Sequence, residues 1–165
     1  MKNIAFLWAI LAVSVGLAQD KPSFTGDWKL DIAQSDFGSE PAPKSMGGTV
    51  FKETPQMLSY RVHGVDDKGK PFVYSWSGPE DGSMHPMMMK GKPVGQQSVK
   101  KESDGTFVRH GEDSTDGSTF DARGTLSPDG KTFTDEITEK SKDGKESTEK
   151  QVWHRVGSAN GKPAS

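Results

Sequence analysis

The sequence predicts an all-β protein, folded as an antiparallel up-and-down barrel of about eight strands. Three observations carry that prediction. Asp-Gly pairs stand at 81–82, 104–105, 116–117, 129–130 and 143–144, with Asp67-Lys68-Gly69 as a near relative. Both residue types tolerate the positive backbone angles that tight hairpins require. Between the turns lie short runs in which apolar and polar residues alternate with period two, as in an antiparallel sheet with one wet face. The chain also has no cysteine, so closure must come from something other than disulfides. A sheet closed on itself supplies it and leaves no open edge.

In chain order, the first strand spans 24–30 and reads Phe24-Thr25-Gly26-Asp27-Trp28-Lys29-Leu30. Pro41 and Pro43 make 31–45 a connection, with one helical turn expected near Ile32 to Phe37. A second strand follows at 46–54. In 57–64, Leu58, Tyr60 and Val62 share one face, with Ser59, Arg61 and His63 on the other. In 71–77 the inner face is Phe72, Tyr74 and Trp76. Strands are expected at 94–102 and 105–112, then at 117–127, where Phe120, Ala122 and Leu126 oppose Asp121, Arg123 and Thr125. In 131–139, Asp135 is in phase with Phe133 and Ile137 and so faces inward, where Arg109 or Arg123 would pair with it. The last strand is 148–156. Residues 136–150 are rich in Glu and Lys, which favours helix by propensity, but Asp143-Gly144 interrupts them and no apolar stripe runs through. A charged hairpin is the better reading. One of these segments is expected to be no strand at all or an extension of its neighbour.

The ends read differently. Lys2, the apolar run Ile4 to Val15 and the small residues Gly16-Leu17-Ala18 have the three parts of a secretory signal, so 1–18 is expected to be removed and 19–156 to form the barrel. The apolar run is short of the roughly 20 residues a membrane span needs, so no stable membrane insertion is expected after cleavage. A periplasmic or secreted location follows. Residues 157–165, small and polar, are expected to be a disordered tail. After Ala18 only about a quarter of the residues are apolar, 55 of 147 when glycine is counted, against roughly 45–50% with glycine in a typical soluble domain. That is too few for a thick core but enough for the inner face of one closed sheet. A formal net charge of -2 offers no electrostatic basis for nucleic-acid binding.

Gly26-x-Trp28 in the first strand, with Arg155 on the last, resembles the opening signature of lipocalins and related calycin barrels. The resemblance implies that Trp28 closes the barrel floor and stacks with Arg155. Gly26-Asp27-Trp28-Lys29-Leu30-Asp31, Ser35-Asp36-Phe37, Pro41-Ala42-Pro43-Lys44-Ser45 and Ser127-Pro128-Asp129-Gly130-Lys131-Thr132 are similar to a recurrent pattern in small secreted bacterial lipocalin-like proteins, a family largely uncharacterised. It implies a lipocalin-like fold more than an activity. The Met-rich segment Met84 to Met89 departs from the pattern.

Candidate chemistry is sparse. His63, His85, His110 and His154 have no metal-ligand spacing among themselves, there is no Gly-x-Ser-x-Gly elbow, and no glycine loop suits a phosphate. No catalysis, cofactor or metal site is expected. The aromatics carry the binding reading: Tyr60, Val62, Tyr74, Trp76 and Phe120 fall on inward faces, where they either fill the barrel or line a pocket for a small apolar or amphipathic ligand. A non-catalytic envelope or interaction module is the same reading with a filled interior. The alternative is periplasmic copper binding through Met84-His85-Pro86-Met87-Met88-Met89, because thioether and imidazole together suit Cu(I). Consecutive methionines on a strand would, however, point alternately in and out.

Overall fold

The structure, a computed structural model, describes residues 22–157 except residue 104. The expected signal at 1–18 and nearly all of the expected tail lie outside the described residues. Among the described residues ten strands form the fold: β1 (Gly26–Leu30), β2 (Ser45–Thr54), β3 (Met57–Val65), β4 (Pro71–Gly78), β5 (Asp81–Met89), β6 (Lys92–Lys101), β7 (Phe107–Asp113), β8 (Thr119–Leu126), β9 (Thr132–Lys140) and β10 (Glu146–Arg155). Each pairs antiparallel with its chain neighbours, and β1 pairs with β10 to close the barrel. The all-β, up-and-down class is as expected; the count is ten rather than about eight.

The strand that pattern reading missed is β5. Its sequence, Asp81-Gly82-Ser83-Met84-His85-Pro86-Met87-Met88-Met89, has no β-branched residue and contains a proline. Asp81-Gly82, read as a hairpin turn, is instead the start of the strand; Gly82 has φ 89, and the register against β6 shifts between Asp81 and Met84. The turn that does join β5 to β6 is Lys90-Gly91, with φ of 50 and 77. Positive φ at both central residues is the twist-compatible hairpin geometry, here reached with lysine where Asp or Asn is usual.

The Asp-Gly turns at 116–117, 129–130 and 143–144 fall between strands, as expected. In Ser127-Pro128-Asp129-Gly130 the Gly130 amide donates to the Ser127 carbonyl at 2.8 Å and the Ser127 hydroxyl to Asp129 Oδ1 at 2.6 Å. Ser141 and Asp143 repeat both bonds in the β9–β10 hairpin. The helical turn expected near Ile32 to Phe37 is absent. Asp31 Oδ1 instead accepts the Ala33 and Gln34 amides at 3.1 Å, and the chain then returns to β10, where Asp36 forms a bridge with Lys150. These are amides that the first turn of a helix would leave without an internal partner, but the turn at 32–34 goes no further.

The core lies inside the barrel. Trp28, Leu30, Val50, Leu58, Tyr60, Val62, Trp76, Val99, Phe107, Phe133 and Trp153 are buried in one cluster, which is the inner face that alternation marks. Two glycines let rings lie flat on the wall. A Cβ at Gly111 would collide with Phe120, and one at Gly124 with Phe133. The outer face is charged, with Asp121, Arg123, Glu136 and Lys150 exposed, unlike the apolar band of a membrane barrel. No helix among the described residues is long and apolar enough to cross a membrane.

Candidate functional site

One end of the barrel is sealed. Phe24, just before β1, stands 5.1, 5.4 and 4.5 Å from the ring centroids of Trp28, Phe107 and Phe133. Trp28 Nε1 donates to the Phe24 carbonyl at 2.9 Å. The Arg155 guanidinium lies 4.4 Å from the Trp28 ring centroid, the stack that the lipocalin resemblance implies. Arg155 also donates to the carbonyls of Gly130, Thr25 and Ser23. The plug is thus tied to both the first and the last strand. A cation over indole contributes about 0.5–2 kcal/mol.

Above this floor the interior is open. A cavity of about 370 Å³ runs up the barrel axis. Its partly exposed lining residues, among them Met46, Met89, Phe120 and Glu139, lie at the end opposite the plug, so the mouth is there. An eight-stranded barrel has an interior that side chains fill or that holds one small ligand, and diameter grows with strand number. Two further strands therefore convert the filled alternative into an open one, even with few apolar residues.

The lining has two unlike halves. On β2 to β6 it is apolar and aromatic, with Val50, Leu58, Tyr60, Val62, Tyr74, Met87 and Val99. Gln97 is the buried polar exception, and its Nε2 donates to the Tyr60 phenol oxygen at 2.7 Å. Burial pushes the Tyr60 and Tyr74 phenols up, so both are neutral at physiological pH. On β7 to β10 Arg109, Asp135, Glu149 and Gln151 stand among the apolar Phe107, Phe120 and Ile137. Asp135 on β9 faces inward, as its phase predicts, and is 3% exposed. Of the two arginines offered as partners, Arg109 pairs with it; Arg123 faces outward and pairs with Glu102 at 3.0 Å.

Burial raises the Asp135 pKa, and Arg109 partly offsets this. Burial also opposes the Arg109 cation, but the Asp135 carboxylate beside it holds it protonated. Asp135 Oδ1 and Arg109 Nε have no hydrogen-bond partner. On β10, Trp153 Nε1 donates to Gln151 Oε1 at 3.1 Å, and Gln151 Nε2 donates to Glu149 Oε1 at 3.0 Å. This chain of bonds fixes the Glu149 carboxylate in the upper lumen. Burial raises the Glu149 pKa, with help from Asp135, Glu139 and Glu40.

Of the residues assigned to the ligand site from sequence, Tyr60, Val62, Tyr74 and Phe120 line the cavity. Trp76 does not. It is 1% exposed, and its Nε1 donates to the carbonyls of Gln97 at 3.0 Å and His85 at 3.2 Å. The β4–β5 ladder runs only from Tyr74–Met89 to Trp76–Met87, ending where Pro86 has no amide to donate. The indole occupies the gap and serves the wall.

Glu149, Gln151, Gln97 and Trp153 were missed. The in-phase positions of β10 and β6 carried the signal, but polar residues at inward positions look like errors of phase until the register is known. The Met-rich segment splits as alternation requires: Met87 and Met89 line the cavity, whereas Met88 does not. Met88 therefore stands apart from Met87 and Met89. Among the described residues, no group of three or more His, Asp or Glu is placed to hold a metal.

No family model and no curated protein matches this sequence. Among solved structures, a redesigned β-barrel is similar over 81% of this chain and 91% of its own, with 13% identity and a TM-score of 0.49. A barrel described as bound to DFHBI is similar over 81% and 94%, with 14% identity and a TM-score of 0.44. A de novo designed fluorescence-activating β-barrel is similar over 80% and 93%, with 17% identity and a TM-score of 0.40. What the chain has in common with these proteins is a barrel, and the ligand named for the second is that protein's own.

Proposed function

We propose that this chain is an exported, lipocalin-like barrel protein that holds a small apolar or amphipathic molecule in its lumen and performs no catalysis on it. The observation that carries this reading is the 370 Å³ cavity above a sealed floor, lined on one half by Tyr60, Val62, Tyr74 and Met87. Ligand pockets are concave and mostly apolar, with a few placed polar groups, and here Arg109, Asp135 and Gln97 are those groups. The Gly26-x-Trp28 motif stacked on Arg155 at the plugged end supports kinship with the secreted bacterial lipocalin-like family. Export rests on Lys2, the run Ile4 to Val15 and Ala18.

Fluorescence titration with the neutral apolar probe N-phenyl-1-naphthylamine tests the binding reading. Saturable enhancement is expected, and Val62→Trp, which projects an indole into the lumen, should abolish it while leaving a cooperative thermal transition. Enhancement unaffected by a folded Val62→Trp protein would place the probe elsewhere and overturn the reading. Amino-terminal sequencing of the protein recovered from a secreting host should begin at Gln19.

A further inference from the structure

The carboxylates of the lumen say which class of amphipathic molecule fits. Asp135 and Glu139 on β9, Glu149 on β10 and Asp113 on β7 line the cavity, and Arg109 is the cation set among them. Arg109 is engaged by Asp135, and no lysine or histidine belongs to the lining. Glu40, from the connection between β1 and β2, and Asp116, from the turn between β7 and β8, add further negative potential at Glu139. Lys142, from the turn between β9 and β10, passes its methylenes over Gly117.

These acids surround an apolar shaft, and one of them makes a further demand. Asp135 is 3% exposed, lines the cavity and has an oxygen, Oδ1, without a hydrogen-bond partner. A buried carboxylate oxygen lacking a donor is costly unless something supplies one. The opposite half of the lumen, with Tyr60, Val62, Tyr74 and Met87, suits a hydrocarbon or ring; the cation that borders it, Arg61, is exposed and lies over the Phe51 ring.

We infer that the lumen selects a cationic amphiphile, an organic amine with an apolar body, whose ammonium group sits among Asp135, Glu139 and Glu149 while its body lies against the aromatic half. This rests on the reading that the cavity binds a small molecule, and it narrows the chemistry of that molecule. An ammonium group supplies hydrogen-bond donors and a charge opposite to that of the lining. A fatty-acid carboxylate of the same length would meet repulsion at the mouth.

Isothermal titration calorimetry of the whole protein at low ionic strength and near-neutral pH, with octylammonium, 1-octanol and octanoate as probes, separates the two readings. Octylammonium is expected to bind at least about tenfold more tightly than octanol, since one charge interaction in a partly desolvated site is enough for that. Octanoate should be weakest. In the double variant E139Q/E149Q the ammonium preference over octanol should collapse.

Octanol or octanoate binding as tightly as octylammonium would overturn the inference and leave the lumen as a neutral apolar site. So would an ammonium preference that survives in the folded E139Q/E149Q protein. Absence of heat from all three probes, together with no displacement of the apolar fluorophore, would remove both readings.

Discussion

Breaking the Arg109–Asp135 pair from either side should be severe, and removing both partners should not. The Arg109 and Asp135 side chains are 16% and 5% exposed, so a surviving partner has little access to water. Truncating one member of a buried pair costs about 3–5 kcal/mol because an uncompensated charge remains inside, whereas replacing both with apolar residues is often neutral or stabilising.

Arg109→Leu and Asp135→Leu are each expected to lose that amount, and the double variant should lie within about 1 kcal/mol of the starting protein or above it. With a urea m-value of about 2 kcal/mol/M, each single change lowers the unfolding midpoint by roughly 2 M. The two singles should also differ in pH dependence. In Arg109→Leu, Asp135 keeps a folded-state pKa raised by burial and loses the guanidinium that partly offset it. The folded state then holds a proton where the unfolded carboxyl, with pKa about 3.9, has lost it. Stability therefore rises as pH falls toward that value. Asp135→Leu leaves an arginine that cannot shed its charge and shows no such recovery. Additivity of the two substitutions within about 0.5 kcal/mol would refute the reasoning.

Further outcomes follow from the same geometry. Arg155→Met removes the cation over Trp28 and donors to three carbonyls, and should lower stability by about 2–4 kcal/mol in urea unfolding. Gly124→Ala presses a methyl into the Phe133 ring and toward Asp135; a loss of about 1–3 kcal/mol is expected, largely recovered when Phe133→Leu is combined with it. Glu149 has a pKa raised above its unfolded value by burial, so the parent protein gains stability from this group as pH falls through its folded pKa toward about 4.3. Glu149→Gln should flatten that gain and raise the melting temperature at neutral pH while weakening amine binding. A lower melting temperature for Glu149→Gln would count against a carboxylate held for binding at the expense of stability.

Much of the site's apolar half is legible in the sequence because strands have a strict period of two. Leu58, Tyr60 and Val62 announce their face without knowledge of any partner strand, and so do Phe133, Asp135 and Ile137. Trp76 shows the limit of that logic. Its phase is inward, yet its indole turns into a gap created by Pro86 on the next strand. Glu149 and Gln151 show the converse, since inward polar residues are unreadable until the register pairs Gln151 with Asp135 and Glu149 with Ile137.

What the chain alone determines is local: the alternation, the Asp-Gly hairpins and the Trp28 and Arg155 positions lead to an antiparallel closed sheet. Strand number, and with it the lumen, is decided only by the tertiary structure. β5 lacks β propensity and ends in a Lys-Gly turn, so it exists because β4 and β6 flank it. With ten strands in place of about eight, the barrel circumference exceeds what its few inner apolar side chains can fill. The low apolar content that argues for a thin core thereby produces a cavity, and closure brings Asp135, Glu139 and Glu149 around it.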